Sequence, residues 1–343
     1  MSKKHVTVKN IKIGGGAPIS VQTMTNTLTT DIPGTLAQIH SAVQAGADLV
    51  RVSVPDKDSV NALKQIIKQV DVGIIADIHY DYRLALQAID AGAHKIRINP
   101  LNMPIAKLQE VAHVAGEHKI PMRIGINRGG LKTESTPEAL AESAVNIADT
   151  IASAGCSDLV LSVKSSDIKE TIAAYRHLSQ LTEHPLHIGL TESGTANYGI
   201  IKSTIAISTL IMNGIGDTIR VSLSGDPIQE VHAAKRIIRA SGLDDNFVEI
   251  IACPTCARTN IPIEKLALSL EEQTAIIKKR VKIAVMGCAV NGLGEAGHAD
   301  FGVCGAPLQS MIFRNGKFTE KVDNDNIIKT LLSILKEYND VRP

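Results

Sequence analysis

The sequence predicts an α/β fold in which an N-terminal TIM barrel, of the (β/α)₈ type, is followed by a smaller α+β domain. Short apolar runs alternate with amphipathic helical stretches from about residue 19 to residue 240, and this alternation is typical of βα units. Eight strands over roughly 220 residues match such a barrel. The predicted strands are Ile19–Met24, Leu49–Val54, Gly73–Asp77, Lys95–Asn99, Pro121–Ile126, Leu159–Val163, Leu186–Thr191 and Thr218–Leu223.

Helix ends support this interpretation. Three of the amphipathic stretches end in Ala-Gly, a C-terminal signal because glycine readily adopts the left-handed conformation that ends a helix. An open doubly wound sheet is the alternative, but it would usually carry a Gly-rich phosphate loop after its first strand. The run Gly14-Gly15-Gly16 precedes the first strand, so we interpret it as a turn. The predicted helices include Gly34–Ala45, Val60–Gln69, Arg83–Ala91, Pro137–Ser153 and Pro227–Ala240.

A polar stretch at residues 241–246 is the predicted linker between two domains. We therefore expect the barrel, as the substrate-binding domain, over residues 1–243 and a second domain over residues 244–343. Apolar runs in the second domain predict three strands and a terminal helix. These lie near Val248–Ala252, Lys282–Met286, Ser310–Arg314 and Ile327–Tyr338.

Composition and charge exclude several classes of protein. Lys and Arg number 36 against 35 Asp and Glu, so no net charge draws the chain to nucleic acid or to an anionic membrane. Trp is absent and aromatic residues are 3%, too few for a base-stacking platform. The N-terminus lacks an apolar signal segment, and no apolar run is long enough to span a bilayer. Five cysteines, an odd number, indicate a reducing cytoplasm rather than a disulfide scaffold.

Four predicted strands share the pattern apolar-Arg-apolar-small. Strand alternation places each arginine opposite its apolar neighbours, so in a barrel the arginines point inward near the upper layer. Converging guanidinium groups bind anions strongly. Each arginine could instead pair with a buried carboxylate, but four in one register favour an anionic substrate. The arginines are Arg51, Arg97, Arg123 and Arg220; the carboxylates are Asp77, Glu192 and Asp226; further cations are Lys164 and Lys202.

Polar residues at strand ends are candidates for acid, base and positioning roles, because these ends build the active sites of TIM barrels. His79 follows strand three and Asn127 follows strand five. Glu230 falls in the first turn of the eighth helix, where it could equally complement the helix dipole. A single histidine such as His79 is more often structural.

Three cysteines in the second domain predict a metal centre. Cys253 and Cys256 present two thiolates on one tight turn, and Cys288 follows about thirty residues later. An iron–sulfur cluster with one unusual ligand fits this set, and Glu295, beyond a glycine-containing loop, could reach the same metal. A structural zinc site with a different fourth ligand is the alternative. The candidates for that ligand are Cys304 and His298.

Several stretches together carry a resemblance that covers the chain nearly end to end. They are Gly14–Ile19, Val21–Thr27, Ala76–Arg83, Arg97–Pro100, Arg123–Asn127, Gly214–Leu223 and the two cysteine segments. On these residues the chain resembles the bacterial hydroxymethylbutenyl diphosphate synthases, the reductases of the non-mevalonate isoprenoid pathway. Leu293, Leu101 and Gly130 stand where that family usually has Pro, Gly and Ser, and none of them is a proposed ligand.

The resemblance implies a TIM barrel followed by a [4Fe–4S] domain, with Cys253, Cys256, Cys288 and Glu295 as ligands. It also implies that two electrons from flavodoxin or ferredoxin open the ring of 2-C-methyl-D-erythritol 2,4-cyclodiphosphate. A hydroxyl leaves as water, and 4-hydroxy-3-methylbut-2-enyl diphosphate forms. Glu230 is the implied acid–base residue, with Glu295 and His79 as further catalytic candidates. The implied substrate contacts are Arg51, His79, Arg97, Arg123, Asn127, Lys202 and Arg220.

Chain direction predicts a homodimer. The eighth helix, of about fourteen residues, runs back from the barrel mouth for roughly 20 Å, so the chain leaves at the opposite face. The cluster domain could then cap the barrel of a partner in a head-to-tail pair, as the resemblance also implies. A redox or iron sensor, and a phosphate-ester enzyme with structural zinc, are the rival interpretations.

Overall fold

The computed structural model describes residues 2–128, 136–289 and 295–341. The chain divides into two compact units after Leu243, and each unit has its own hydrophobic core. Of the helices in the described part of the chain, none is both long and apolar enough to cross a membrane.

The first unit begins with a hairpin of β1 (His5–Val8) and β2 (Ile11–Gly14), and strands then alternate with helices. The strands are β3 (Ser20–Met24), β4 (Leu49–Ser53), β5 (Gly73–Ile78), β6 (Lys95–Ile98), β7 (Met122–Asn127), β8 (Leu159–Lys164), β9 (His187–Ile188) and β10 (Thr218–Ile219). The helices are α1 (Ile32–Gln44), α2 (Lys57–Ile67), α3 (Tyr82–Asp90), α4 (Ile105–Glu117), α5 (Pro137–Ser153), α6 (Ile168–Leu181), α7 (Ala196–Ile211) and α8 (Pro227–Ala240).

Strands β3 to β10 form a parallel barrel, which confirms the fold predicted from the sequence. The strands pair in chain order, and β10 pairs with both β9 and β3. A bridge between Leu161 and Leu186 closes the ring between β8 and β9. Outward-facing strand residues such as Val50 and Val52 belong to the main buried core between the strands and the helices.

The last two barrel strands are shorter than predicted, at two residues each. Gly189 has a φ of +155°, and a Cβ there would lie 2.3 Å from the carbonyl oxygen of Arg220. The Leu223 amide donates to Glu230 Oε1 at 2.9 Å. A close backbone approach and a side-chain contact therefore replace the regular ladder at these strand ends.

Helix boundaries follow from local sequence. Asp56 and Thr136 each accept a hydrogen bond from a backbone amide in the first turn of the helix that follows, α2 and α5. At the other end, the three Ala-Gly dipeptides end α1, α3 and α5 as predicted. Their glycines have left-handed φ values, 102° at Gly46, 95° at Gly92 and 113° at Gly155.

The β1–β2 hairpin closes the barrel at the end where the strands begin, and the sequence pattern does not predict it. Its buried side chains Val6, Val8 and Ile13 form one apolar cluster with three inward-facing strand residues. Those three are Leu49, Ile75 and Val160. The barrel interior is therefore apolar at its base.

The second unit is built around a five-stranded sheet. Its elements are β11 (Val248–Ala252), α9 (Ile263–Thr274), β12 (Val281–Met286), β13 (Phe301–Cys304), β14 (Gln309–Arg314), β15 (Lys317–Asp323) and α10 (Ile327–Val341). Strands β11 to β13 are parallel, and β14 and β15 continue the sheet antiparallel. The prediction lacks β13, β15 and α9. β15 carries one buried residue among seven, as edge strands often do, so it has no apolar alternation to detect.

Candidate active site

Side chains facing the interior of a TIM barrel form layers of four, contributed by alternate strands. The strands tilt relative to the barrel axis. A plane across the barrel therefore meets each successive strand one residue further along than the residue that strand pairing places opposite. One layer then consists of Arg51, Arg97, Ser162 and Arg220, and the layer beneath it of Gln22, Ile75, Arg123 and His187. The four arginines of the sequence pattern thus occupy two adjacent layers.

Asp77, on β5, holds two of these arginines. Its Oδ1 lies 3.1 Å from Arg97 Nη1 and 3.9 Å from Arg51 Nε, and its Oδ2 lies 2.9 Å from His79 Nε2. Burial alone would raise the pKa of the Asp77 carboxyl, but Arg51, His79 and Arg97 outweigh burial and hold that pKa below its usual range. The carboxylate pairing considered from the sequence therefore applies to Arg51 and Arg97.

Glu230, in the first turn of α8, holds Arg220. Its carboxylate accepts hydrogen bonds from Arg220 Nε (3.2 Å) and Nη2 (3.3 Å), from Thr23 Oγ1 (3.1 Å) and from the Leu223 amide (2.9 Å). The residue is 3% exposed. Glu230 is therefore an inward-facing member of the arginine site rather than a solvated acid at a helix N-terminus.

Arg123 differs from the other arginines in its partners. It is 3% exposed, and its Nε and Nη1 have no hydrogen-bond partner among the described residues. Burial, together with Arg51 and Arg97, lowers its pKa well below the usual value. A buried guanidinium without a carboxylate is costly unless an anion neutralises it.

Gly125 creates a space on which several donors converge. A Cβ at this position would lie 3.2 Å from Arg97 Nε, 3.3 Å from Ser162 Oγ and 3.4 Å from Arg123 Nη2. Within the described residues, Arg97 Nε and Ser162 Oγ also lack hydrogen-bond partners. Glycine at this position leaves three donors aimed at one point, as a bound oxyanion requires.

The two lysines considered from the sequence occupy different environments. Lys164 ends β8 and is 5% exposed; burial and then the neighbouring arginines lower its pKa. It pairs in register with Asn127, the last residue of β7. Lys202 lies on α7, where its ammonium donates to the Ser166 carbonyl oxygen at 3.0 Å. The structure therefore places Lys164 rather than Lys202 among the arginines, and the alternation of Ser162 with Lys164 along β8 is the sequence signal for it.

Positive charge exceeds negative charge in the described part of the barrel interior. Six cations and two carboxylates face inward there, which leaves a large positive excess that a multiply charged anion would neutralise. The cations are Arg51, Lys95, Arg97, Arg123, Lys164 and Arg220, and the carboxylates are Asp77 and Glu230.

The second unit brings two of its cysteines to neighbouring strand ends. Cys253 follows β11 and Cys288 follows β12, and these strands pair in parallel. The Cys253 amide donates to the Val285 carbonyl oxygen (3.3 Å), and the Gly287 amide donates to Cys253 Sγ (3.1 Å). Cys256 is exposed. Three thiols thus come from the two loops that follow the carboxyl ends of β11 and β12.

Glu295, the fourth metal ligand predicted from the sequence, lies only partly within the described residues. Glu295 opens a short 3₁₀ helix, Glu295–His298, but its side chain and the preceding loop of residues 290–294 lie outside the described residues. Within the described residues, no three His, Cys, Asp or Glu side chains lie close enough together to hold a metal ion. Cys304, on β13, is 2% exposed, and burial first, then Cys288 and Cys253, raises the pKa of its thiol to about 11.

Comparison with known proteins finds a matching family model for each of the two units. A family model of the GcpE TIM-barrel domain matches residues 3–235, and a model of the GcpE protein C-terminal domain matches residues 249–337. The chain belongs to the GcpE family. Two relatives are named 4-hydroxy-3-methylbut-2-en-1-yl diphosphate synthase (flavodoxin). That of Caldanaerobacter subterraneus is 45% identical over 342 residues, 97% of this chain and 96% of the relative. That of Thermotoga petrophila is 45% identical over 337 residues, 98% of each.

Solved structures similar to this GcpE-family chain share its barrel. Dihydropteroate synthase of Yersinia pestis has a TM-score of 0.53 at 16% identity, covering 70% of this chain and 100% of that one. The Xanthomonas albilineans enzyme has a TM-score of 0.52 at 12% identity, covering 71% and 98%. At these identities the similarity shows the fold alone.

Replacing Asp77 by Asn in this GcpE-family barrel tests the ion cluster. The folded-state pKa of Asp77 is lowered, so its carboxylate contributes stability above the unfolded pKa of about 4, and this contribution is lost as pH falls through the folded value. We expect Asp77→Asn to cost about 3 kcal/mol of unfolding free energy at pH 7. Denaturant titrations should show a constant difference from the wild type above about pH 5 and a shrinking one below about pH 4. A difference that grew on acidification would contradict the assignment.

Proposed function

We propose that this GcpE-family chain reduces 2-C-methyl-D-erythritol 2,4-cyclodiphosphate to 4-hydroxy-3-methylbut-2-enyl diphosphate in non-mevalonate isoprenoid biosynthesis. The excess of inward-facing cations over carboxylates in the barrel carries the proposal, because it suits a diphosphate. Relatives at 45% identity bear the name of this synthase. The reaction takes up two electrons and two protons, breaks the ring C–O bond to one phosphate and releases a hydroxyl as water.

The barrel binds the diphosphate through donors that are free before the substrate arrives. Arg97 Nε, Arg123 Nη2 and Ser162 Oγ converge on one point beside Gly125 and can share one phosphate group. Lys164 provides a further cation at the upper ends of the strands. The remaining proposed contacts are Arg51, His79, Asn127 and Arg220, while Lys202 would have to give up its hydrogen bond to the Ser166 carbonyl oxygen.

Existing ion pairs orient these groups in advance. Asp77 holds Arg51 and Arg97, and Glu230 holds Arg220. Less side-chain freedom is then lost when the substrate binds, which favours affinity.

Glu230 and His79 are the proposed acid–base residues. Both carboxylic acids and imidazoles commonly donate protons in enzyme sites. Glu230 contacts Arg220 through both oxygens, so a phosphate that draws Arg220 away would free the carboxyl group to take up a proton. His79 is fixed by Asp77 through its Nε2 atom at 2.9 Å.

Replacing Glu230 by Gln should lower kcat by about 10²- to 10⁴-fold, the usual range for losing a general acid. The amide still packs and hydrogen-bonds but cannot exchange a proton. Rapid-mixing assays under excess reduced flavodoxin, which supplies both electrons, would measure the step directly. Thr23→Val serves as the control, because it removes one of the hydrogen bonds to Glu230 while keeping the carboxyl group. Equal rates for Glu230→Gln and the wild type would assign the proton to another residue.

The second unit would hold the redox centre, a [4Fe–4S] cluster ligated by Cys253, Cys256, Cys288 and Glu295. The residues fit such a group, since thiolates are its usual ligands and the Gly287 amide already donates to Cys253 Sγ. Bound there, the cluster would supply the two electrons. The relatives' name specifies flavodoxin, so we propose flavodoxin rather than ferredoxin as the donor. No disulfide links any of the five cysteines, as suits the cytoplasm we propose for the protein.

The decisive experiment is anaerobic purification followed by assay with the cyclodiphosphate and reduced flavodoxin. We expect a brown protein with about four iron and four sulfide per chain and formation of the linear diphosphate. Zinc in place of iron would indicate a structural metal and a phosphate-ester enzyme. A cluster without product formation would indicate a sensor.

We further propose a homodimer in which the cluster of one protomer serves the barrel of its partner. Within the first unit, α8 begins at the end of the barrel where the strands finish and runs back along β3. The chain therefore leaves the barrel at the face opposite the arginines. That path suits a head-to-tail pair.

Mixing Arg97→Met with Cys288→Ser should therefore restore activity. Each homodimer lacks one half of every site, whereas a mixed dimer retains one complete site. Statistical exchange gives about half mixed dimers, each with one of two sites intact, so roughly a quarter of wild-type activity is expected. Activity would be measured after the chains have been co-refolded or co-expressed. Absence of recovery, with dimers confirmed by mass, would place both halves of the site on one chain.

A further inference from the structure

Beneath the substrate layer the barrel contains polar atoms that the proposed reaction does not use; of the residues that carry them, Arg123 alone also binds the substrate, through Nη2. Below the layer of Arg51, Arg97 and Arg220 lie Gln22, Arg123 and His187, and below these lie Lys95 and Thr218, by the register that defines the layers. Apolar side chains share these two layers, Ile75 with Gln22, Arg123 and His187, and Leu49 and Val160 with Lys95 and Thr218. All three pack against the hairpin side chains Val6, Val8 and Ile13 at the base of the barrel. We call the five polar residues Gln22, Lys95, Arg123, His187 and Thr218 the lower polar group.

Every member of the lower polar group is buried and has free hydrogen-bonding atoms. Lys95, His187 and Thr218 are 0% exposed. Lys95 Nζ, both ring nitrogens of His187, both amide atoms of Gln22, Thr218 Oγ1 and Arg123 Nε and Nη1 have no partner among the described residues. Buried polar groups are almost always satisfied in folded proteins, so a set of five in adjacent layers indicates a ligand.

The charge of the group identifies the class of ligand. It contains an ammonium and a guanidinium, and its other members can donate from an imidazole, an amide and a hydroxyl. It contains no carboxylate; the two inward-facing carboxylates of the described barrel, Asp77 and Glu230, are already engaged with the arginines above. A cyclic diphosphate carries two negative charges, so a positive excess remains beneath it when Lys95 and Lys164 are protonated.

We propose that the lower polar group binds a small inorganic monovalent anion of the halide class, chloride in the cell. The anion would lie between Lys95, His187 and the Nε and Nη1 atoms of Arg123. A spherical anion accepts hydrogen bonds from several directions and needs no acceptor of its own. The apolar base and the absence of a carboxylate in the group disfavour a metal ion. The anion also neutralises the lower edge of Arg123 and leaves Nη2 for the substrate phosphate.

Bromide locates the site directly. Crystals of the whole protein grown with inorganic diphosphate, which occupies the upper layer, and soaked in sodium bromide should show an anomalous peak within contact distance of Lys95 Nζ and His187. A peak confined to the upper layer, or the protein surface, would overturn the proposal. A lower polar group that holds only water beside a neutral Lys95 would also overturn the proposal. This is the competing state, because burial and the nearby Arg123 and Arg51 lower the pKa of Lys95.

Thermal unfolding tests the same site in solution. With diphosphate saturating, chloride in place of gluconate at constant ionic strength should raise Tm in proportion to the logarithm of chloride concentration, by roughly 5 °C at a hundred times its dissociation constant. Lys95→Met should abolish the rise. Leu49→Met, in the same layer but without a change of charge, should retain it. An equal chloride response in Lys95→Met would refute the site.

The bromide peak keeps the test decisive if Lys95→Met fails to fold. Neither readout requires turnover or a loaded metal centre. A failure of the proposed reaction would therefore leave the anion site standing, and a failure here would leave the proposed reaction untouched.

Discussion

Arg123→Met should weaken binding of inorganic diphosphate, or of the cyclodiphosphate, by about 3 kcal/mol, roughly 150-fold. In chloride-free buffer, where the lower polar group holds no halide, it should leave the free protein as stable as the wild type or more so. The guanidinium is buried with Nε and Nη1 unpartnered among the described residues. Replacing an uncompensated buried charge by an apolar side chain of similar length is neutral or favourable to folding. Isothermal titration and denaturant unfolding of the same preparation would measure both effects.

Arg97→Met is the matched comparison, because it removes a guanidinium from the adjacent layer and also breaks an ion pair. Arg97 Nη1 lies 3.1 Å from Asp77 Oδ1, so its loss should weaken diphosphate binding to a similar extent while costing about 3 kcal/mol of unfolding free energy. Opposite stability effects with similar binding effects would separate ligand binding from folding. If Arg123→Met were instead the more destabilised variant, Arg123 would have an internal partner that this account lacks.

Cys288→Ser should eliminate turnover and reduce iron content from about four per chain to near zero, because two remaining thiolates hold a cluster poorly. The loss should leave diphosphate affinity unchanged, since the donors that bind it lie in the first unit. Iron and sulfide analysis of anaerobically purified protein, with calorimetric diphosphate binding, would test both statements.

Two other cysteines provide the controls for this variant. Cys156 lies in the barrel core and Cys304 in the sheet of the second unit, and burial raises the thiol pKa of each to about 11. A thiol held in its neutral form is a poor metal ligand. Cys156→Ala and Cys304→Ala should therefore retain iron; loss of iron in Cys304→Ala would make Cys304 a ligand and reopen the zinc alternative.

Strand alternation made the barrel and its arginines predictable, because every inward position in a parallel sheet repeats with a period of two. The pattern around Arg51, Arg97, Arg123 and Arg220 required only local sequence. Which layer each arginine occupies depends on the stagger of the whole barrel, which no local pattern contains. Hence the sequence could not show that, of these four arginines, Arg123 is the one with no carboxylate partner in the part of the chain that the structure describes.

The other features of the site depend on contacts between residues far apart in the sequence, which local patterns do not show. The sequence left open whether Glu230 is an acid–base residue or complements the helix dipole, because only its first-turn position is local information. Its contacts with Thr23 and Arg220 appear only when α8 packs on β3. Lys202 resembled a site residue by position in the chain, but its side chain lies on α7. The hairpin at the barrel base was missed since two four-residue strands carry too few residues to show alternation.

The apolar base formed by the β1–β2 hairpin closes one end of the barrel interior. Val6, Val8 and Ile13 close that end, so water or ions beneath the arginines would exchange through the opposite end, where we propose that the substrate binds. A bound substrate then blocks that passage. The contents of the lower interior would thus be renewed between turnovers, at a rate set by product release rather than by free diffusion.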